Sequence, residues 1–455
     1  MNNDFGKDRM FPLVLRLVIP SMLAQLVNVL YGIVDRIFVS RLPYGDLALA
    51  GVGVCAPVVS LLTSVAFLLG LGGAPLMAMK MGEKSDGKAE KILFNCFFAL
   101  AVTGAVLSAA MFLVKDGMLM AFGASSDSFV YADRYMSVYL IGGVFAIVSL
   151  GLNSFITAQG CPKTAMGTVL IGAVGNIVLD PLFIFTFDMG VTGAAVATVI
   201  AQFLSCLWAV LFLVFSRRIS VRLRPRALSA RLIGRVMKLG LSPFVITATD
   251  SVIFIMLNSV LQRLGGAGTG DIYVTAATVT VSYIQLITMP MSGLTMACQP
   301  IVSYNYGARN TARVRKAVAS ALIVCLVFTS VMTLVSQFLP SAFVRIFTSD
   351  PVIMPIAVWG MRVNTAGIIV LSMQYVFVDL LIAMSAAGRA LALSLFRKLF
   401  MIALIVLLPL GLGWRGAFYA EPIADVASGI LATAVYLLTV PALLRRRETA
   451  DDIRI

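Results

Sequence analysis

The chain has 455 residues, of which 60% are hydrophobic and 12% are charged, and its mean hydropathy is +0.97. This much apolar surface excludes a soluble protein and indicates a membrane protein that crosses the bilayer many times. The net charge of +14 could indicate nucleic acid as a partner. However, the basic residues cluster between apolar segments, which is typical of cytoplasmic loops, so no nucleic acid is expected.

The usual catalytic and metal-binding side chains are scarce. Histidine, the commonest general base and metal ligand, does not occur in the sequence. The six cysteines form no CxxC pair and mostly lie in apolar runs. We therefore expect buried hydrophobic cysteines rather than disulfides or a metal centre, and neither an enzyme nor a cofactor.

Apolar segments close to the ~20 residues that a bilayer requires occur twelve times. Each is expected to be a helix, because lipid offers no hydrogen-bond partners to the backbone. They lie at 13–39, 47–79, 92–114, 134–158, 164–187, 190–215, 239–261, 272–302, 317–339, 356–385, 390–411 and 416–443. The predicted fold is therefore all-α, with twelve transmembrane helices.

The lysine and arginine residues predict the orientation. If both termini are inside, the inner segments hold 26 of the 35 basic residues and the outer loops hold six. The inner count includes three basic residues at 389–398. This bias predicts cytoplasmic termini, with membrane lipids as partners of the basic inner segments.

The two halves of the chain repeat each other. A shift of 223 residues aligns Pro20 with Pro243, and other proline, glycine and basic positions align at similar shifts. Since six spans is an even number, both halves begin inside and form parallel repeats, related by an axis along the membrane normal. We predict an N-lobe at 1–216, a basic cytoplasmic linker at 217–238 and a C-lobe at 239–455, with the substrate path between the lobes.

A carboxylate, Asp180, interrupts the fifth apolar segment. An acid at such a position marks a transport path or a proton relay, because its charge is costly in lipid. Asn176 lies one turn earlier on the same helix face, and Thr198 lies as far after the turn at 189 as Asp180 lies before it. At 1.5 Å per residue both are roughly 13 Å below the outer turn. Their oxygen atoms suit an alkali cation, and Asp180 alone could hold a proton. The alternative is a structural contact between two helices.

The first span carries a polar stripe on an apolar helix. Gln25, Asn28, Tyr31 and Asp35 follow one another at steps of three or four. Pro20 should bend the same helix, because it removes a backbone hydrogen bond. We predict a functional surface, and the alternative is hydrogen bonding to neighbouring helices with Asp35 paired to the adjacent arginine.

The second half has acids of its own within apolar segments. Asp250 should lie near the midplane and face the substrate path. Like Asp250, the acids Asp379, Glu421 and Asp425 could each form a second titrating site or a counter-charge for a cationic substrate. A structural role remains open for these three acids.

Five segments together resemble the multidrug and toxic compound extrusion (MATE) family, in the prokaryotic branch near the DNA-damage-inducible type. They are Leu30–Arg36, Gly175–Phe185, Gly190–Thr198, Gln299–Gly307 and Glu421–Asp425. The resemblance covers nearly the whole chain. It implies a V-shaped pair of six-helix lobes in a prokaryotic plasma membrane, and we expect the protein to be a monomer. It also implies export of hydrophobic, often cationic, drugs in exchange for inward Na⁺ or H⁺.

The family's site residues fall on particular positions of this sequence. Its N-lobe cation site matches Asp35, Asn176, Asp180 and Thr198. Tyr31 and Asn153 match residues that line the N-lobe cavity, and Asp250 matches an acid found in the seventh helix of some members. The family's acid in the tenth helix falls on or near Val376, which cannot titrate, so a coupling site of that kind in the C-lobe is in doubt.

Two other functions are compatible with a polytopic membrane protein. One is a flippase for lipid-linked precursors from the same superfamily, although those have fourteen spans and a strongly cationic central cavity. The other is an intramembrane enzyme, against which the lack of histidine and of a serine motif both count.

Overall fold

Helices form nearly all of the molecule in the computed structural model, which describes residues 4–42, 44–122, 126–347 and 350–449. In chain order they are α1 (Met10–Ser40), α2 (Gly45–Val54), α3 (Ala56–Gly82), α4 (Asp86–Ala121), α5 (Ser126–Ala158), α6 (Pro162–Pro181), α7 (Gly190–Phe215), α8 (Ala230–Gly307), α9 (Thr311–Phe338), α10 (Pro340–Phe347), α11 (Ile353–Asn364), α12 (Ile368–Ala383), α13 (Ala387–Leu412) and α14 (Trp414–Thr449). Twelve segments of these described ranges are long and apolar enough to cross a membrane. The predicted all-α fold with twelve spans is confirmed.

Two of the predicted spans consist of two consecutive helices each. The second span contains α2 and α3, which meet at Cys55. Pro57, the second residue of α3, has no N–H group, so it cannot donate a helical hydrogen bond back across this point. The tenth span contains α11 and α12, joined by the single 3₁₀ turn Thr365–Gly367.

Helix α8 contains both the seventh and the eighth predicted spans. It begins at Ala230, inside the segment predicted as linker, where the Ser229 hydroxyl caps the backbone N–H of Leu232. Its 78 residues would extend about 117 Å if straight, far more than the ~30 Å of a bilayer core. The chain therefore folds back, and a Cβ atom on Gly265 would lie 2.4 Å from the backbone nitrogen of Gly270.

Buried apolar side chains form two separate clusters. One extends from Val39 to Leu239, and the other from Ile253 to Leu444, with Phe5, the first residues of α1 and Met79 of α3 added. Helix α1 thus begins in the second cluster and ends in the first, and it packs on both α8 and α6. A change in the shape of α1 would therefore alter the packing in both halves of the molecule.

The two halves approach each other closely where the end of α3 contacts the end of α8. A Cβ atom on Gly82 would lie 2.0 Å from the carbonyl oxygen of Tyr304, and one on Gly307 would lie 2.1 Å from that of Met79. Only glycine allows the two backbones to approach this closely.

A buried ionic network crosses the same contact. Glu83 binds Lys80 at 2.5 Å and Arg447 of α14 at 2.6 Å. Arg447 also donates to the carbonyl oxygens of Tyr306 and Gly307. Helices α3, α8 and α14 are therefore joined at this end by charge-assisted hydrogen bonds.

Candidate ion and substrate site

A cavity of about 630 Å³ lies between the two halves. Helices α1, α3, α5, α6 and α7 form one wall, and α8, α12 and α13 form the other. Its size falls within the range of small-molecule sites in proteins. Apolar side chains such as Phe67, Met289 and Met296 alternate with polar ones along the walls.

Asn176 lies at the centre of a fully buried polar cluster beside this cavity. Its side-chain nitrogen donates to Asp180 Oδ1 at 3.1 Å and to Thr198 Oγ1 at 3.1 Å. The first contact follows from helical spacing, and the second from the hairpin between α6 and α7. The chain turns there through Asp188 and Gly190, both with positive φ.

The backbone around Asp180 departs from a regular α-helix. Pro181 ends α6, and the next five residues, Leu182–Thr186, form a single π-helical turn. Proline removes one donor from the helical ladder, and π-turns of this length recur at functional positions.

Two carboxyl groups meet in this cluster. Asp35 of α1 lies within hydrogen-bonding reach of Asp180, and both side chains are buried. Two carboxylates so close in a buried site repel each other unless a proton or a cation lies between them. Asn176 Oδ1 is buried and accepts no hydrogen bond from a described residue, so a further acceptor faces the same cluster.

Tyr31 and Thr198 separate the two acids from the cavity. Both line the cavity wall, and the Tyr31 hydroxyl lies within reach of the Thr198 hydroxyl. A change at the carboxyl groups can therefore reach the cavity through one intervening layer of side chains. The side chain of Arg36, the alternative partner for Asp35, lies outside the described residues.

The remaining residues predicted for the substrate path also line the cavity. They are Gln25, Asn28, Asn153 and Asp250. The Asn28 amide donates to Gln25 Oε1 at 3.4 Å, while the buried Asn153 Oδ1 accepts nothing from the described chain. Pro20 is buried within α1, which continues as a helix on both sides of it.

The acids of the second half each have a partner. Asp250 pairs with Lys398, and Asp425 accepts from Arg397 Nε at 3.0 Å and from Nη2 at 2.8 Å. Glu421 accepts from the Asn364 amide at 3.4 Å. Asp379 lines the cavity within hydrogen-bonding reach of two residues of α8, Thr295 and Gln299.

The position of two basic residues corrects the sequence analysis. Arg397 and Lys398 were counted with an inner segment, but both are buried in α13 and line the cavity. They are stable there because each pairs with a carboxylate within the protein. The acids in the neighbouring spans were the available signal, since buried acids require cationic or hydrogen-bonding partners.

Sequence reasoning also missed an aromatic wall on α5. Tyr135 and Tyr139 line the cavity with their rings stacked at a centroid distance of 5.9 Å. Gln202 donates to the Tyr139 hydroxyl at 3.4 Å. The sequence did contain a signal for a polar contact at this wall. Gln202 lies one helical turn after Thr198 and therefore on the same helix face.

The donor set around Asp35 and Asp180 determines which ions the cluster can accept. Among the described residues, no three acidic or cysteine side chains converge as a metal site would require. Two carboxylates with an amide and a hydroxyl oxygen form a set of hard oxygen ligands that suits an alkali cation, and the carboxylates alone could hold a proton.

A family profile described as MatE matches residues 20–182 and 244–407, which together make up more than half of the chain. The chain belongs to the MatE family. The two matched ranges lie in the two predicted repeats. The resemblance to MATE transporters is thus confirmed, and the chain is a multi-pass membrane protein of a transporter family.

Curated relatives of this MatE protein extend over its whole length. "Multidrug export protein MepA" of Staphylococcus aureus (strain N315) is 23% identical over 449 residues, covering 98% of this chain and 97% of its own. The protein of the same description from Staphylococcus saprophyticus is 22% identical over 452 residues. It covers 99% of this chain and 98% of its own length.

Solved structures show the same fold. One is described as "Outward-facing conformation of a multidrug resistance MATE family transporter of the MOP superfamily". It superposes with a TM-score of 0.90 at 22% identity, covering 98% of this chain and 99% of its own. A second, a MOP superfamily transporter from Pyrococcus furiosus, gives a TM-score of 0.89 at 23% identity, with 96% and 98% covered.

Proposed function

We propose that the protein is a secondary active antiporter that exports hydrophobic or cationic compounds in exchange for H⁺ or Na⁺. The observation that carries the proposal is the contact between the Asp35 and Asp180 carboxyl groups, buried beside a large cavity. Paired buried acids are costly to maintain and are typical of ion and proton pathways.

The coupling ion binds between Asp35 and Asp180, with Asn176 and Thr198 supplying further oxygen atoms. In the outward-facing protein, a proton or Na⁺ from the richer side removes the repulsion between the two acids. Helix α1 then bends at Pro20 and reshapes the cavity wall through Tyr31. The cavity becomes smaller, the substrate leaves, and the halves move inward, where the ion is released.

Exchange requires that ion and substrate favour different states. A ligand with equal affinity for both states would shift no population, however tightly it bound. The layer formed by Tyr31 and Thr198 can couple the two ligands, because it touches the ion cluster on one side and the substrate cavity on the other.

The substrate class follows from the walls of the cavity. Methionine and aromatic side chains adapt to varied apolar shapes, and an acid of the cavity wall such as Asp379 attracts positive groups. The name of the staphylococcal relatives, multidrug export protein, supports the same class. We expect the transporter to act as a monomer.

We place the protein in a prokaryotic plasma membrane, with both termini in the cytoplasm. The distribution of lysine and arginine supports this orientation. The contact between Gly82 and Tyr304 then closes the cytoplasmic end, and the cavity opens toward the outside.

A lipid-linked precursor flippase is less well supported. The described chain has twelve spans rather than fourteen. Its two buried cavity cations, Arg397 and Lys398, are each neutralised by a carboxylate, so this part of the wall does not offer a free positive surface to a diphosphate.

Efflux of ethidium from membrane vesicles, driven separately by a proton gradient and by a sodium gradient, tests the proposal. Asp35→Asn and Asp180→Asn should each abolish gradient-driven efflux, since an amide cannot exchange a proton and binds Na⁺ weakly. Asp116→Asn, which alters an exposed acid, is the matched control and should retain wild-type efflux. Wild-type rates in both site variants under either gradient would show that the coupling acids lie elsewhere.

A further inference from the structure

The pair formed by Lys398 and Asp250 is asymmetric. The Lys398 side chain is 4% exposed, whereas that of Asp250 is 60% exposed, and both residues line the cavity. The lysine reaches Asp250 Oδ1 from within the protein. The carboxylate therefore faces the cavity, with a cation held behind it.

The other cation of this wall, Arg397, is balanced by a carboxylate within the protein. Arg397 gives two hydrogen bonds to Asp425, which is 1% exposed. Glu421 lies close enough to Arg397 and Lys398 for electrostatic attraction, and it accepts a hydrogen bond from the Asn364 amide. The Asp250–Lys398 pair is thus the ion pair of the described wall that a bound molecule can reach directly.

A second acceptor points to a ligand at the same wall. Gln374 lines the cavity and is 5% exposed. Its Oε1 atom is buried and accepts no hydrogen bond from a described residue, while its amide nitrogen donates to the carbonyl oxygen of Leu393 at 3.4 Å. A carboxylate and an amide oxygen on one wall suit a positively charged group.

We propose that Lys398 is a tethered counter-ion that determines the charge of the substrates that the cavity accepts. Its ammonium group occupies one oxygen of Asp250 and cancels most of the attraction that the carboxylate would exert on a cation. A cationic substrate must therefore compete with Lys398, so singly charged compounds bind only as well as their apolar surface allows. Lys398 is a specificity-determining residue, and it acts on the substrate through Asp250.

The proposal rests on the proposed export function for the class of substrate, but its test does not depend on ion coupling. Equilibrium binding of tetraphenylphosphonium to purified protein in detergent is measured without any gradient. Triphenylphosphine oxide, a neutral compound with three of the same rings, is the comparison probe. Loss of efflux in the Asp35 or Asp180 variants bears on coupling alone and leaves this binding test unaffected.

Lys398→Met should bind tetraphenylphosphonium about tenfold more tightly, because one opposing unit charge is removed close to the bound cation. Asp250→Asn should have the opposite effect and weaken binding about tenfold, since the ammonium is then unopposed. The double variant should return to within about threefold of the wild type, and triphenylphosphine oxide should bind equally to all four proteins.

Lys115→Met is the matched control, because Lys115 also pairs with an aspartate, Asp133, but does not line the cavity. It should leave both affinities unchanged. If Lys398→Met does not fold, Lys398→Gln removes the same charge and keeps a polar group, and Asp250→Asn tests the opposite sign independently. Unchanged cation binding in the Asp250 or Lys398 variants, or an equal change for both probes, would overturn the proposal.

Discussion

At the scale of single residues, the candidate ion site depends on how one amide is shared. Asn176 donates to a carboxylate and to a hydroxyl on different helices, both at 3.1 Å. Removing one acceptor leaves a buried donor unsatisfied, which costs about 1–3 kcal/mol. The positions of the three side chains are thus coupled.

Thr198→Val is expected to reduce ion-driven efflux by roughly 5- to 100-fold, since the valine keeps the shape but cannot accept from Asn176. The measurement is the initial rate of ethidium efflux at several ion gradients. Thr329→Val is the matched control, because Thr329 is equally buried but bonds only within α9. Equal rates in Thr198→Val and Thr329→Val would contradict a role for the Thr198 hydroxyl.

Helical spacing explains which part of the site could be predicted from the sequence. Asn176, Asp180 and Thr198 were placed together by counting residues from a turn, because rise and twist are fixed along a helix. The contact between Asp35 and Asp180 joins distant spans, and only the family resemblance indicated it. The sequence analysis did not predict that Lys398 faces the cavity, because a charged residue near the end of an apolar segment is usually assigned to a loop.

At the scale of helices, α1 and the contact between α3 and α8 determine which movements are possible. Helix α1 packs in both apolar clusters, and Pro20 removes one of its backbone hydrogen bonds. The closed end is held by Gly82, Gly307 and the buried Arg447 network. Helix α1 can therefore bend, whereas the contact between α3 and α8 must open.

Pro20→Ala should slow efflux several-fold while leaving substrate binding nearly unchanged, because alanine restores the missing hydrogen bond and stiffens α1. Efflux rate and equilibrium binding of tetraphenylphosphonium are measured on the same variant. Pro409→Ala, a proline within α13 near its end, is the control. Faster efflux in Pro20→Ala would contradict the role of bending.

Arg447→Met should shift the protein toward states that are open at the cytoplasmic end. The variant loses the hydrogen bonds from Arg447 to Glu83, Tyr306 and Gly307, while Glu83 stays paired with Lys80. A hydrogen bond to a charged group contributes about 1.5–3 kcal/mol. Spin labels at the exposed positions 88 and 309 report the separation of the two halves by their distance distribution. Arg16→Met removes an exposed cation near Asp8 and should change nothing. Identical distributions in Arg447→Met and the wild type would show that the network is not part of the closure.

At the scale of the whole molecule, hydrophobicity and repetition predicted the architecture well. Twelve spans followed from segment length alone, because a bilayer imposes the same requirement on each. The reversal inside α8 and the breaks within the second and tenth spans depend on particular glycine and proline contacts. Contacts between the halves depend on which side chains meet across the cavity, and no local pattern encodes that.

The expected orientation has a direct test on intact cells. Single cysteines at the exposed positions 309 and 415, in a protein whose six native cysteines are replaced, are treated with a membrane-impermeant thiol reagent. Position 415 should be labelled from outside and position 309 only after the cells are opened. The reverse pattern would place both termini outside.

The central claim is that Asp35 and Asp180 exchange an inorganic ion for the substrate. The most direct measurement is the number of ions, either H⁺ or radioactive Na⁺, that purified protein releases when tetraphenylphosphonium binds. The wild type should release close to one ion per bound substrate, and the Asp35→Asn, Asp180→Asn double variant should bind substrate and release none. Release from the double variant equal to that of the wild type would contradict the account.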